Sequence, residues 1–102
     1  MGDSTVARNY DFRNLRVLVV DDSQFMIRVV SNILEALGIG SVFSATSGRD
    51  GFEAACRYNP DVVISDWDMD GGEGPELVNL LRNDPKSPDP YVNVIMLTGY
   101  AE

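Results

Sequence analysis

The sequence predicts an α/β fold, a doubly wound parallel sheet with helices on both faces, and three observations carry that prediction. Short β-branched apolar runs at Leu15 to Val20, Asp61 to Asp66 and Val92 to Leu97 have the length and make-up of buried strands. Between them lie stretches whose apolar residues recur at helical spacing. Alternation of the two implies right-handed crossovers, which cover both sheet faces and gather all strand carboxyl ends along one edge. With 102 residues, 44% hydrophobic and 24% charged, the chain suits one globular domain. Residues 1–14 read as a polar tail and 15–102 as the folded unit.

Leu15 to Val20 is the first strand, stopped by Asp21-Asp22-Ser23. The helix after it carries Phe25, Met26, Val29, Val30, Ile33, Leu34 and Leu37 on its apolar side. Asp22 or Ser23 can cap its first turn, and Gly38 can end it in the left-handed conformation. Ser41 to Thr46 is a short second strand. Phe52, Ala55 and Cys56 then form a weaker helical stripe between Ser47-Gly48 and Asn59-Pro60, with Cys56 expected as a small buried hydrophobe. Asp61 to Asp66 is the third strand. Pro75 suits the first position of a helix carrying Leu77, Leu80 and Leu81, whose positive end Glu73 and Glu76 favour. Asn83 to Pro90 holds three prolines and is a loop, and Val92 to Leu97 is a fourth strand running into Thr98-Gly99. Met26 and Met69 read as packing groups, while Trp67 is equally consistent with core, lid or partner contact.

Composition excludes several classes of function. Sixteen acidic residues against eight basic, a formal charge of −8, leave no electrostatic footprint for nucleic acid or anionic lipid. Neither nucleic acid nor membrane is therefore expected as a direct partner. The single cysteine cannot form an internal disulfide, and the start MGDSTVARNYDFR has no apolar signal-peptide core. The expected location is cytoplasmic. With no histidine in the chain, His-based metal sites, acid/base catalysis and a phosphohistidine carrier role fall away.

In open parallel sheets, ligands sit beyond the carboxyl ends of the strands. Asp21 and Asp22 follow the first strand, Asp66 ends the third with Asp68 and Asp70 close behind, and Thr98-Gly99 follows the fourth. Crowded carboxylates raise one another's pKa values, so a site that uses them as anions needs a cation, and hard oxygen donors suit Mg²⁺. A carboxylate beside Mg²⁺ can attack phosphorus, and a hydroxyl such as that of Thr98 can donate to a phosphoryl oxygen.

The stretches VLVVDDSQFMIRVVSNILEALG, DVVISDWDMDGGEGPELVNLLR and VNVIMLTGYAE together resemble the receiver domains of two-component response regulators, most closely the chemotaxis-type single-domain members. The resemblance runs over residues 15–102. It implies a flavodoxin-like (CheY-like) three-layer sandwich with strand order 2-1-3-4-5, an order the resemblance supplies and the periodicity does not. It also implies that Asp66 is the phosphoacceptor and that Asp22 and Asp66 ligate Mg²⁺ directly. Asp21 would act mainly through metal-bound water, and the Asp68 backbone carbonyl would be a further ligand. Thr98 matches the switch hydroxyl and Gly99 the small residue that keeps the site open, while Asp68 and Tyr100 match positions that tune dephosphorylation. The partners implied are a sensor histidine kinase or histidine phosphotransfer protein and a downstream output domain or protein. The domain would be a signalling module, with self-catalysed phosphotransfer and slow autodephosphorylation at most.

Two departures from the family pattern stand out. Asp70, followed by Gly71-Gly72, replaces the usual proline four residues after the phosphoacceptor, which makes the loop more flexible and more anionic. A full receiver continues through another helix, a fifth strand bearing a lysine and an aromatic switch residue, and a last helix; the sequence ends at Glu102, and its only lysine, Lys86, lies in the proline-rich loop. From this, an exposed fourth strand and self-association through it are expected.

Two rivals share part of the pattern. Asp66 to Gly71 begins like a calcium loop, D-x-D-x-D-G, but Leu77 stands where that loop needs a glutamate and the lead-in PDVVIS is a strand. Haloacid dehalogenase-type phosphatases are similar in a strand ending D-x-D, with Asp66 as nucleophile and Asp68 as acid/base, but they give Asp21 and Asp22 no role.

Overall fold

The computed structural model describes residues 11–69 and 73–97. In chain order its elements are β1 (Arg16–Val20), α1 (Gln24–Ala36), β2 (Ser41–Ala45), α2 (Gly48–Tyr58), β3 (Val62–Asp66), α3 (Glu73–Asn83) and β4 (Asn93–Leu97). The strands form one parallel sheet in the order β2-β1-β3-β4, as the resemblance implied for these four. Each observed strand begins or ends within one residue of its apolar run.

β1 explains the layering. Its residues alternate between faces, and both faces are covered. Val17 and Val19 join Ile27 and Leu34 of α1 in one core, whereas Leu18 and Val20 join Ala55, Val63, Leu77 and Leu81 in another, under α2 and α3. A strand buried on both sides has no polar alternation, which is why Val17 to Val20 reads as an unbroken apolar run.

The helix ends follow local chemistry. The Ser23 hydroxyl accepts the Met26 N–H at 3.2 Å and caps α1, and Gly38 takes φ +89° just past its end. Ser47 caps α2 by accepting the Asp50 N–H at 3.0 Å, and Asn59 closes that helix at φ 49°. Pro75 lies two residues inside α3 rather than at its first position, still in the turn where a missing N–H removes no helical bond. The proline-rich connection to β4 is stitched down by Arg82, which donates to the Pro90 and Val92 carbonyls at 2.9 and 2.7 Å, and by Ser87, whose hydroxyl donates to the Leu81 carbonyl.

Three packing expectations are corrected. The face of α1 that meets the sheet is Ile27, Val30 and Leu34; Phe25, Met26, Ile33 and Leu37 are exposed. The helix carries two apolar sides, and among the described residues only one is covered, so Met26 is not a packing group. Met69 is, at 3% exposure. Cys56 is exposed, its thiol 3.5 Å from the Lys86 carbonyl, because the buried stripe of α2 is Gly48, Gly51 and Ala55 and the next residue turns about 100° away from it.

β4 is one of the two edge strands of the described sheet, with Ile95 half exposed and Leu97 exposed on the side away from Val94, which packs on the core. No helix among the described residues is long and apolar enough to cross a membrane.

Buried and exposed apolar residues of the helices make unequal contributions, and this is measurable. Leu77→Ala, at a fully buried position, is expected to lower the urea midpoint by the equivalent of about 3 kcal/mol, and Ile33→Ser by less than about 0.5 kcal/mol. Equal losses for the two would contradict this assignment of the core.

Candidate functional site

Strand register brings the acidic residues to one level. Val20 of β1 pairs with Ser65 of β3, so the next residues, Asp21 and Asp66, stand side by side at the carboxyl edge. The Asp21 N–H extends the pairing by donating to the Ala45 carbonyl at 3.1 Å. Asp22 follows directly, as the chain turns toward α1. One carboxylate oxygen from each of Asp21, Asp22 and Asp66 lies within 4.8 Å of the other two.

The three sit at graded depths, with Asp21 buried, Asp66 half-buried and Asp22 exposed. Asp21 Oδ1 accepts the Ser23 N–H at 2.9 Å, and Asp66 Oδ1 accepts the Asp68 N–H at 3.2 Å. Each carboxylate is thus oriented by the backbone two residues ahead. Burial pushes the Asp21 carboxyl above the ordinary aspartate value; the Ser23 N–H opposes this, and the negative charges of Asp66 and Asp22 add to it. Among the described residues no arginine or lysine forms an ion pair with any of the three.

That donor set fits a hard divalent cation. It offers oxygen alone, from three converging carboxylates whose mutual repulsion is met by no ion-paired arginine or lysine among the described residues, with an open side at Asp22 where water can complete the coordination.

Behind the cluster, Ser65 is fully buried and its hydroxyl donates to the Asp66 carbonyl at 3.1 Å. The Trp67 N–H donates to the Leu97 carbonyl at 2.7 Å, which ties the residue after Asp66 to the end of β4. The Trp67 side chain is 51% exposed and is therefore not core. Asp68 is exposed, and Met69 plugs into the core beneath the loop. Asp70, Gly71, Gly72, Thr98, Gly99 and Tyr100 lie outside the described residues.

Sequence reasoning gave Glu73 only a charge role at the start of its own helix. In the fold its Oε1 accepts the N–H of Gly48, the first residue of α2, at 2.5 Å. Gly48 reads in the sequence only as a helix boundary, and Gly74 carries no reading of its own. A Cβ on Gly74 would stand 2.5 Å from the Trp67 carbonyl oxygen and 2.6 Å from that of Asp66, and one on Gly48 would stand 2.9 Å from the Glu73 carbonyl oxygen. Only the glycine type itself could have signalled these approaches.

Comparison with known proteins agrees with this geometry. Residues 17–102 match the family described as the response regulator receiver domain. A protein-glutamate methylesterase/protein-glutamine glutaminase of Natronomonas pharaonis is 36% identical over 88 residues, which cover 86% of this chain but 23% of that protein. Chemotaxis protein CheY-3 of Vibrio cholerae is 31% identical over 90 residues, covering 88% of this chain and 68% of that one. Among solved structures, the N-terminal domain of a response regulator receiver protein from Methanoculleus marisnigri JR1 superimposes with a TM-score of 0.77 at 31% identity, covering 87% of this chain and 70% of that one. These relatives lend nothing to the phosphatase alternative. The fold, the acidic cluster beyond β1 and β3, and the family match converge: the chain belongs to the response regulator receiver domains, the phosphoacceptor modules of two-component signalling.

Proposed function

We propose that Asp66 accepts a phosphoryl group from a phosphohistidine of a sensor histidine kinase or histidine phosphotransfer protein, and that the domain passes the resulting state to an output domain or protein. The observation that supports this reading best is the convergence of Asp21, Asp22 and Asp66 within 4.8 Å at the carboxyl edge of the sheet. A carboxylate oxygen of Asp66 attacks phosphorus as the P–N bond of the donor breaks, giving an acyl phosphate and free imidazole. The donor imidazole comes from the partner, since this chain has no histidine.

Asp22 and Asp66, the two more accessible acids, are proposed as direct ligands of Mg²⁺, with Asp21 acting through water and the Asp68 carbonyl completing the protein's share. A bound Mg²⁺ would offset the charge on the carboxylates and on the transferring phosphoryl group. Asp21, held by the Ser23 N–H, keeps negative charge beneath the pocket, and Asp66 is aimed by the Asp68 N–H. Thr98 is proposed as the switch hydroxyl, Gly99 as the small residue beside it, and Asp68 and Tyr100 as the groups that set how fast water removes the phosphoryl group. The proposed location is cytoplasmic. β4, unpaired on one side among the described residues and exposing Ile95 and Leu97, is the proposed route of any self-association.

Two predictions follow from these roles. Incubation with acetyl phosphate and Mg²⁺ should add one phosphoryl group per chain, at Asp66, and Asp66→Asn should abolish the labelling; intact-mass spectrometry reads both. Labelling that survives this substitution, or repeated hydrolysis of a phosphomonoester, would instead favour the phosphatase chemistry.

The second concerns charge. Because the folded state raises the Asp21 pKa, ionising that group costs stability as pH rises through the aspartate range, and the loss persists at neutral pH. Mg²⁺ should relieve it. Saturating Mg²⁺ should therefore raise the melting temperature more at about pH 7.5 than at about pH 4, where protons replace the metal. Asp21→Asn, which keeps an acceptor for the Ser23 N–H, should melt higher than wild type without metal and respond less to Mg²⁺. A metal response independent of pH, or an Asp21→Asn variant that melts lower, would contradict the charge-crowding account.

A further inference from the structure

The backbone on either side of the proposed phosphoacceptor is packed against the start of α3. α3 begins at Glu73, and its first turn lies directly on the residues that leave β3, Asp66 and Trp67. Gly74 is buried, and any side chain there would strike the carbonyl oxygens of Asp66 and Trp67. Glu73, the residue before it, turns the other way and reaches α2, where its Oε1 accepts the Gly48 N–H at 2.5 Å.

That N–H belongs to the first turn of α2, where backbone donors have no partner within the helix and the positive end of the helix dipole favours an anion. The approach is close on both sides, since a Cβ on Gly48 would stand 2.9 Å from the Glu73 carbonyl oxygen and 3.0 Å from its Cβ. α2 is itself tied to the cluster: three residues before Gly48, the Ala45 carbonyl accepts the Asp21 N–H. The contacts close a ring from Asp21 through Ala45, Gly48, Glu73 and Gly74 back to Asp66.

Resting on the receiver reading above, we propose that Glu73 is a positioning residue for the phosphoacceptor site. It touches neither metal nor phosphoryl group. By clamping α3 to the start of α2 it keeps Gly74 packed on the Asp66 and Trp67 carbonyls, and so supports the aim of the Asp66 carboxylate at the level that strand pairing sets beside Asp21. The carboxamide of Gln keeps an acceptor of the same reach, whereas Ala leaves the Gly48 N–H without one.

The test compares Glu73→Ala and Glu73→Gln with Glu76→Ala, which removes the same charge from an exposed position of the same helix turn. Three quantities are read on each folded chain: Mg²⁺ affinity from Trp67 fluorescence, the rate of Asp66 labelling by acetyl phosphate, and the melting temperature. Glu73→Ala is expected to weaken Mg²⁺ binding and slow labelling by about ten-fold, the usual scale for a residue that orients a metal ligand. Glu73→Gln should recover most of both, and Glu76→Ala should match wild type. A Glu73→Ala chain that melts lower yet binds Mg²⁺ and labels as wild type does would overturn the proposal, leaving Glu73 a purely structural cap. So would a Glu76→Ala chain with equal losses, which would make the effect one of net charge. If Glu73→Ala does not fold, Glu73→Gln decides by itself: a ten-fold loss there would show that an acceptor at this position is not what the site needs. A wild-type chain that neither binds Mg²⁺ nor labels would remove the receiver reading itself, whatever the variants do.

Discussion

Parallel pairing of β1 with β3 levels the two strand ends, and that register is the constraint from which the site follows. Because Val20 lies opposite Ser65, the chain cannot keep its central hydrogen bonds without setting Asp21 and Asp66 beside each other. Asp22 is delivered to the same place by the turn into α1. Like charges this close oppose folding, so the arrangement persists only because the strands beneath are held by something stronger. Val17 to Val20 and Val63 are at most 2% exposed, and burying side chains of this size stabilises by about 1.5–3 kcal/mol each. The apolar interior of the sheet thus supports a charged rim, and the rim's repulsion is what a divalent cation would relieve.

The loops around the rim are specified by short-range contacts. Ser23 and Asp68 each donate a backbone N–H to the carboxylate two residues earlier, so each acid carries its own orienting partner. Met69 anchors the loop from below, Trp67 is joined to the end of β4 through its backbone, and Glu73 and Gly74 close it from the α3 side. The accessible faces lie elsewhere. Phe25 and Met26 at the start of α1, together with Trp67, leave apolar surface close in sequence to the acids.

How far the sequence foretold this depended on the range of the interaction. The strands β1 and β3 were legible because burial on both faces leaves an unbroken apolar run, and the acids behind them because a parallel sheet collects its strand ends. Ser23, Gly38 and Asn59 were legible as helix boundaries because capping is local chemistry. α1 misled because it has two apolar sides, and periodicity alone does not say which one meets the sheet; Ile27 was passed over and Phe25 and Ile33 were favoured. Cys56 misled for a related reason, as a stripe one residue too wide takes in a side chain that turns outward. The reach of Glu73 to α2 was invisible because its partner, Gly48, is 25 residues away, and no local pattern announces a bond between the first turns of two different helices.

The claim on which the rest turns is that Asp21, Asp22 and Asp66 form one cation site. Substituting Mn²⁺, which takes the same hard oxygen ligands, and recording amide resonances by NMR tests it most directly, since a paramagnetic ion broadens the signals nearest to it. At low Mn²⁺ the amides of Asp21 to Ser23 and Asp66 to Asp68 should broaden first, with Mg²⁺ restoring them by competition. Broadening spread over the other acidic residues, or centred on Glu53 and Glu76 between α2 and α3, would show that the carboxylates at the sheet edge do not act as a site.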